Sequence, residues 1–426
     1  MSQSIRERLV EIRRDLHRYP EPGWCEFYTT HRLVEELRTI GVDELAVGPD
    51  AYDPDRRMAI PPDERLEEWT DRARERGVDP DLLERMAGGN TGAVAVLDRG
   101  EGPTVGLRVD IDGLFIEEST AERHRPAAEG FRSETGETMH ACGHDAHMTW
   151  GLATLEAIAE SDFAGRLVVF FQPAEETSGG GRPMAESEYA ADLDYLFAVH
   201  VGLDHPTGEV VAGIERPLAM CHVDVEIRGT SAHAGKAPED GDNAIQALGT
   251  AIGNVYAIPR HADGMTRVNV GRVDGGTASN VVAEHAGAVA EARGETTDLM
   301  EYAKGELRRR FETAAEMHGC EADVDVVSES PRADSDPELA RVVASAAGGV
   351  DGVDTVRRSA DFGASEDATF LMERVQSDGG LATYLIVGTD HPTSHHTPRF
   401  DVDERSLRTG VDVLTDAILS VDDDGA

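Results

Sequence analysis

The sequence predicts an α/β protein with a mostly parallel sheet, helices on its faces and a smaller inserted domain. Three observations support this prediction. The chain has 426 residues, which is more than a single hydrophobic core usually organises. In its first half, apolar runs of strand length alternate with helical patterns. From residue 221 the pattern changes to a β-α-β-β-α-β order, the ferredoxin-like signature, and the first kind of pattern resumes after residue 331.

Two helices are predicted to open the chain, followed by an insertion. The first helix carries an apolar stripe of Ile5, Leu9, Ile12 and Leu16. The second is expected to end at Gly41, after an inward stripe of Leu33, Leu37 and Ile40. Residues 49–90 are charged and interrupted by Pro54, Pro61, Pro62 and Pro80. We therefore expect a surface insertion near the cleft, with an amphipathic helix at about 63–76.

The remaining elements follow from apolar periodicity. The large sheet is predicted to contain strands at 91–97, 104–111, 166–172, 195–201 and 382–387. Its helices are expected at about 147–160 and 403–421. The inserted domain is predicted to contain strands at 221–228, 266–273, 285–293 and 321–328, with helices at 243–258 and 297–318. The large domain would thus comprise 1–215 and 331–426, and the inserted domain 216–330.

The composition is strongly acidic. The net charge is −42, with 82 acidic residues spread along the whole chain. Of the 40 basic residues, only Lys236 and Lys304 are lysines. Such a surface predicts a halophilic protein, adapted to high salt. Its negative charge would repel nucleic acid, so we expect no nucleic-acid binding. Four scattered cysteines, no apolar run long enough to span a bilayer and no signal-peptide pattern lead us to expect a cytoplasmic protein without disulfides or membrane association.

The most informative segment runs from His140 to His147 and contains a cysteine and three histidines. Thiolate and imidazole are ligands suited to Zn, Mn, Co or Ni. Glu175 and Glu176 follow about thirty residues later, where the apolar run 166–172 must end. A glutamate pair alone is more often a solvated face in so acidic a chain. At the end of a buried strand, however, one carboxylate can bind a metal while its neighbour acts as a base.

Together these motifs resemble the M20 metallopeptidases, in particular their amidohydrolase branch. The resemblance covers nearly the whole chain and rests on RVDID at 108–112, MHACGHD at 139–145, FQPAEE at 171–176, AVH at 198–200, SAHA at 231–234, SNVV at 279–282, SED at 365–367, HH at 395–396 and FDVDE at 400–404. Within that branch, the insertion 49–90 is most similar to hydrolases of aminobenzoyl-glutamate conjugates. The resemblance implies a catalytic domain with an inserted lid or dimerisation domain.

The resemblance also assigns candidate site residues. It implies that one or two divalent metals are held by Cys142, His144, Glu176, His200 and His396. His395 is adjacent, and we choose His396 because the family places its ligand immediately before a short turn ahead of the FDVDE segment. Glu175 would be the general base. Asp112 and His147 would orient ligands from behind, although His147 is also compatible with a core role.

In the inserted domain, the resemblance places His233 and Asn280 against the substrate, and His233 is also a candidate for oxyanion stabilisation. An Asn near paired glycines is otherwise a turn residue. Arg267 is a further candidate for binding the substrate carboxylate. Phe115 stands where many members of the family have proline after the DID motif. The resemblance therefore does not determine the conformation of this turn.

These residues predict a metal-dependent amidohydrolase that cleaves N-acyl or N-aroyl amino acids, with glutamate conjugates as the leading substrates. Two alternatives remain open. Cys142 could be the nucleophile of a cysteine hydrolase. The chain could instead be an accessory substrate-binding subunit, or a deacylase or carboxypeptidase of another specificity. We expect a homodimer, or a heterodimer with a related subunit.

The charge leads to a first prediction. Because the acidic residues repel one another when screening is weak, the fold should lose stability below about 0.5 M salt. The melting temperature, followed by circular dichroism, should be clearly higher at about 2 M than at about 0.1 M KCl. Equal melting temperatures would contradict salt adaptation.

Overall fold

The computed structural model describes residues 3–424 and, within the terminal helices, side chains from Glu7 to Val421. The side chain of Ile5 lies outside the described residues. The chain forms two compact units. Unit 1 comprises the chain up to Glu215, Ala333–Phe362 and the chain from Asp367 onward. Unit 2 comprises Arg216–Arg332 and Gly363–Glu366.

The described residues form twelve α-helices. They are α1 (Gln3–Arg18), α2 (Phe27–Ile40), α3 (Asp63–Glu75), α4 (Pro80–Arg85), α5 (Arg125–Glu129), α6 (His144–Ala159), α7 (Gly181–Ala185), α8 (Ala244–Val255), α9 (Thr297–Met317), α10 (Pro337–Ala347), α11 (Thr369–Ser377) and α12 (Arg405–Asp424). None of the helices described is long and apolar enough to cross a membrane.

Fourteen strands accompany these helices. They are β1 (Glu44–Val47), β2 (Ala93–Asp98), β3 (Thr104–Asp110), β4 (Arg166–Gln172), β5 (Tyr195–Val201), β6 (Glu209–Val211), β7 (Ile214–Glu215), β8 (Ala219–Arg228), β9 (Thr266–Gly275), β10 (His285–Gly294), β11 (Glu321–Ser330), β12 (Thr355–Arg357), β13 (Ala360–Asp361) and β14 (Leu381–Val387). The predicted strands 166–172 and 195–201 have the predicted bounds.

Unit 1 is built on an eight-stranded mixed sheet of order β1-β2-β4-β3-β5-β14-β6-β12. Its centre, β4-β3-β5-β14, is parallel. These central strands are apolar and buried along almost their whole length, because helices cover both faces of a parallel sheet. The α/β class with a mostly parallel large sheet is therefore confirmed.

Helix α6 begins with the last two residues of the HACGHD motif and is buried on nearly every side. A helix that is apolar all round needs partners all round. Helices α1, α2 and α12 pack around it, and strands β3 and β4 lie against it. The start of α6 is thereby fixed beside the carboxyl ends of the central strands.

Unit 2 is a four-stranded antiparallel sheet of order β11-β8-β10-β9, with α8 and α9 packed on it. Its element order, β8-α8-β9-β10-α9-β11, is the predicted β-α-β-β-α-β pattern. Alternating side chains of β8 and β10 are buried, as expected for a sheet with one covered face. In the described part of the unit, β9 pairs only with β10 and leaves its other edge open.

Candidate active site

The carboxyl ends of parallel strands bring acidic side chains to one edge of the large sheet. Asp110 ends β3, and Asp112 follows two residues later. Glu175 and Glu176 follow the end of β4, in a turn that begins at Ala174 with φ of 54°. His200 is the penultimate residue of β5. Three neighbouring strands thus deliver carboxylates and an imidazole to one place.

The HACGHD motif completes this group at the start of α6. Gly143 is the residue before the helix and has φ of 88°, in the left-handed region. A Cβ at this position would lie 2.3 Å from Cγ1 of Val201. Only glycine fits both the backbone conformation and this contact. The tight turn places Cys142 and His144 on either side of Gly143 with both side chains buried.

Three overlapping sets of ligand atoms result, with the atoms of each set within 4.8 Å of one another: Cys142, His144 and His200; Cys142, Glu176 and His396; His144, Glu175 and Glu176. Each pair of sets shares one residue, so the cluster is continuous. It contains all five predicted metal ligands and the predicted base. The donor set of one thiol, three imidazoles and two carboxylates suits a borderline divalent metal such as Zn²⁺.

Hydrogen bonds fix which nitrogen of each histidine faces the cluster. His144 Nδ1 donates to the Asp112 carbonyl oxygen at 2.9 Å, so Nε2 is the nitrogen that faces the cluster. His200 Nδ1 donates to the Val201 carbonyl oxygen at 2.8 Å, and its Nε2 lies 3.3 Å from Cys142 Sγ. Such backbone partners orient each ring so that Nε2 is the nitrogen available to a metal.

The cluster carries an excess of negative charge. Burial lowers the pKa of His144, but the carboxylates of Asp110, Asp112 and Glu176 outweigh burial and raise it to about 10. Burial raises the pKa of Glu176 to about 8, with Asp112 and Asp110 adding to the effect and His144 opposing it. Both shifts show that this position favours additional positive charge.

Unsatisfied atoms support the same conclusion. His144 Nε2 and Glu176 Oε1 are buried, and neither has a hydrogen-bond partner among the described residues. Buried polar atoms without partners are costly, and here two of them converge at 3.7 Å. A divalent cation would satisfy both, so the residues present fit a metal ion.

The adjacent histidines differ in their surroundings. His396 has φ of 58°, and its Nε2 lies 3.4 Å from Glu176 Oε2. His395 instead points Nε2 at the Val201 carbonyl oxygen at 3.2 Å and packs against Phe400. The geometry therefore places His396, rather than His395, beside the clustered carboxylate.

Asp110 is a site residue that the sequence reasoning missed. Its side chain accepts from His147 Nδ1 at 2.5 Å and from Arg108 at 2.7 Å. His147 Nε2 accepts from the Val201 backbone at 2.9 Å, so neither nitrogen of His147 is free to bind a metal. Burial alone would raise the pKa of Asp110, but His144, His147 and Arg108 hold it well below its usual range. The Asp-x-Asp spacing at a strand end was the available signal, since alternate residues share a face.

A second missed group anchors the start of α6. Arg13 Nε donates to Asp145 at 2.6 Å, and His17 Nδ1 donates to the same oxygen at 2.8 Å. His17 Nε2 contacts Glu118 at 3.1 Å. Burial lowers the pKa of His17, but Glu118 and Asp145 raise it to about 9, so His17 is a cation. This buried network holds the residue directly after His144, and its members from α1 gave no local sequence signal.

In unit 2, His233 and Asn280 are brought together. His233 forms an isolated antiparallel bridge with Val281, and the Ala234 amide donates to the Asn280 carbonyl oxygen at 3.0 Å. Both residues are exposed on this unit. Arg267, however, pairs with Arg293 at the opposite end of β9, about 25 Å along the strand from the loop that holds Asn280. Arg267 and Asn280 therefore do not lie together within this unit, and the role of Arg267 in binding the substrate carboxylate stays a prediction.

Comparison with known proteins agrees with this geometry. The profile of peptidase family M20/M25/M40 matches residues 106–420. Indole-3-acetyl-aspartic acid hydrolase from Enterobacter agglomerans is 39% identical, covering 97% of this chain and 96% of the relative. A p-aminobenzoyl-glutamate hydrolase subunit of Escherichia coli (strain K12) is 37% identical, covering 98% and 96%. A crystal structure of an aminobenzoyl-glutamate utilization protein from Klebsiella pneumoniae superposes with a TM-score of 0.85 at 32% identity, covering 100% and 98%.

The chain therefore belongs to peptidase family M20/M25/M40. It is a metal-dependent amidohydrolase, and the predicted family, fold and reaction class are confirmed.

The close contact at Gly143 gives a second prediction. Gly143→Ala should reduce the free energy of unfolding by about 3 kcal/mol, because left-handed backbone costs an alanine about 1–2 kcal/mol and overpacking costs about as much again. The measurement is urea unfolding at high salt, followed by circular dichroism.

Gly130→Ala is the matched control. Gly130 has φ of 76°, but a Cβ there would meet no atom within 4 Å. It should lose only the backbone contribution of about 1–2 kcal/mol. If the two variants lose equal stability, the contact with Val201 is not a constraint on the motif.

Proposed function

We propose that this protein hydrolyses the amide bond of N-acyl or N-aroyl derivatives of acidic amino acids, with N-aroyl-glutamate conjugates as the leading substrates. The observation that carries the proposal is the buried cluster of thiol, imidazole and carboxylate ligand atoms beside a second carboxylate. The named substrates of two relatives support the acidic amino acid, since one is an aspartate conjugate and the other a glutamate conjugate.

In this proposal Cys142, His144, Glu176, His200 and His396 hold one or two divalent metals. Zn, Mn, Co and Ni all suit these ligands. A bound divalent metal supplies Lewis acidity toward the scissile carbonyl oxygen and lowers the pKa of water. Asp112 orients the proposed ligands without binding the metal itself. Its carboxylate oxygens accept hydrogen bonds from His144 Nδ1 at 3.2 Å and from the Glu176 backbone amide at 3.1 Å. Its two contacts couple the positions of two ligands.

Glu175 is the proposed general base. It leaves β4 in the same turn as Glu176, and its Oε2 lies 3.7 Å from His144 Nε2, at the border of the cluster. From there Glu175 can take a proton from the attacking water and return it to the nitrogen of the leaving amino acid. The carboxylates of Glu175 and Glu176 both lie 3.7 Å from His144 Nε2, so one carboxylate can bind a metal while its neighbour transfers protons.

We further propose that His233 and Asn280 contact the substrate, with His233 donating to the developing oxyanion. We also propose a dimer formed through unit 2. Its edge strand β9 is open, and exposed apolar side chains lie on or near it at Val273, Ile245 and Tyr256. An open strand edge beside apolar side chains favours pairing across a two-fold axis. The cytoplasmic location and the adaptation to salt stay predictions.

One observation favours a second candidate, a cysteine hydrolase: Cys142 Sγ lies 3.3 Å from His200 Nε2, within reach of a base. That mechanism gives no role to the Glu175–Glu176 pair or to His396. Chelation followed by metal replenishment distinguishes the two mechanisms, because only the metal-dependent enzyme recovers activity. A purely accessory subunit would show no turnover of any conjugate when assayed alone with metal.

A third prediction tests the base. Glu175→Gln should retain metal but lose about 100-fold or more in kcat, because the amide preserves shape and removes the proton acceptor. Cys142→Ser is the matched variant in the same cluster and should lose metal, measured by elemental analysis of dialysed protein. More than about a tenth of wild-type kcat in Glu175→Gln would exclude this role. Full metal content in Cys142→Ser would exclude the ligand assignment.

A fourth prediction tests the dimer. His233→Ala and Glu175→Gln should each be inactive, and mixing them under conditions of subunit exchange should restore part of the activity if His233 acts on the partner's site. Mass spectrometry under native conditions measures whether mixed dimers form. If mixed dimers form without recovery of activity, action of His233 across the dimer is excluded.

A further inference from the structure

We infer that Phe115 and Ile60 form a subsite for an aromatic acyl group beside the metal cluster. The inference rests on the proposed function and specifies its acyl substrate. Among the described side chains of unit 1, Phe115 and Ile60 are the exposed large apolar residues, at 50% and 46% exposure. A single exposed apolar residue is common on a protein surface, but exposed apolar residues attached beside a candidate active site are suited to binding a ligand.

Phe115 lies close to the cluster along the chain. It follows Asp112 by three residues, so it lies within about 11 Å of a residue that contacts both His144 and Glu176. The intervening Leu114 is fixed, because it exchanges backbone hydrogen bonds of 3.0 Å with Met139 of the metal-binding motif. Phe115 therefore has a fixed position at the border of the cluster.

Ile60 reaches the same region through the insertion. The amide of Met58, two residues earlier, donates to the Gly179 carbonyl oxygen at 3.3 Å. Gly179 closes the turn that carries Glu175 and Glu176, since its own amide donates to the Ala174 carbonyl oxygen at 2.8 Å. The insertion is thus attached to the base-bearing turn.

One short segment connects these two sides. The Gly113 amide donates to the Glu21 carbonyl oxygen at 2.7 Å. Gly23 packs so closely on Ala174 that an added Cβ would lie 3.0 Å from its Cα. Trp24 Nε1 then donates to the Met58 carbonyl oxygen at 2.8 Å. Residues 21–24 therefore lie between the DID strand end, the Glu175–Glu176 turn and the insertion.

The charge of this region suits an anionic conjugate. The Arg65 guanidinium lies 4.9 Å from the centre of the Phe115 ring, and that of Arg57 lies 5.1 Å from the Trp24 ring. In this chain of net charge −42, the ion pairs among the described residues include neither arginine, and Arg57 donates to the Pro54 and Gly88 carbonyl oxygens. Most other arginines described here take part in such a pair. Two guanidinium groups beside aromatic rings favour an aromatic ligand that carries carboxylates.

The experiment compares N-benzoyl-glutamate with N-acetyl-glutamate, which share the leaving amino acid and differ only in the acyl group. The measured quantity is kcat/KM for N-benzoyl-glutamate divided by kcat/KM for N-acetyl-glutamate. Both reactions are followed by the release of glutamate from the metal-loaded enzyme. Phe115→Ala should lower this ratio about tenfold, mainly through a higher KM for the benzoyl conjugate, because it removes the ring surface. Phe115→Tyr keeps the ring and should retain most of the ratio.

Met317→Ala is the matched control, since Met317 is an exposed apolar residue of unit 2, at 67% exposure. It should leave the ratio within about twofold of the wild type. A ratio that Phe115→Ala leaves unchanged, or a fall in activity that is equal for both conjugates, overturns the inference.

Binding separates this inference from the proposed function. If the wild-type enzyme cleaves neither conjugate with any of the four metals, the proposed function fails and the subsite is tested by calorimetry alone. Glu175→Gln protein should bind benzoyl-glutamate at least about tenfold more tightly than acetyl-glutamate, and adding Phe115→Ala should abolish the difference. Equal affinities in the Glu175→Gln protein overturn the subsite whatever the catalytic result.

Discussion

The structure depends on one electrostatic constraint, which is the burial of several carboxylates around one imidazole. Asp110, Asp112 and Glu176 surround His144, and burying each charge costs several kcal/mol unless it is compensated. Arg108 and His147 compensate Asp110. The Glu176 side of His144 has no such internal cation within the described residues, and there a buried nitrogen and a buried oxygen have no hydrogen-bond partner. The proposed metal would compensate this remaining charge, so metal binding and the stability of the strand ends should be coupled.

The same constraint explains why the surroundings are rigid. A ligand set assembled from three strands and a helix start is useful only if each backbone segment is held in place. Arg13 and His17 hold Asp145, which fixes the first turn of α6. Gly143 allows the backbone to pack directly against Val201. His147 Nε2 accepts a hydrogen bond from the Val201 amide. The contacts that position the ligands therefore come from residues that never reach the cluster themselves.

The sequence predicted the central strands well because a strand buried on both faces is a continuous apolar run with few alternative structures. The family resemblance identified the six side chains that cluster at strand and helix ends, and their roles as metal ligands and base stay proposals. The sequence did not predict β1, a strand of four residues, or the short helix α4, because such segments depend on tertiary contacts. Arg13 and His17 were missed because they lie more than 100 residues from their partners and look like one polar side of an amphipathic helix. Arg267 and Asn280 are close in sequence but lie far apart in unit 2, because a ten-residue strand separates them.

The arrangement also separates chemistry from selectivity. The proposed ligands and base are positioned by strand ends in the middle of the sheet, where a change of one residue disturbs buried packing on both faces. The insertion is attached to this edge by hydrogen bonds to the Met58 backbone; part of it packs into the core through buried residues such as Trp69, while Ile60 remains exposed. Backbone attachment leaves side chains such as Ile60 free to vary without moving the base-bearing turn. Differences in acyl preference among relatives should therefore be found in the insertion and at the position of Phe115, while the cluster itself stays the same.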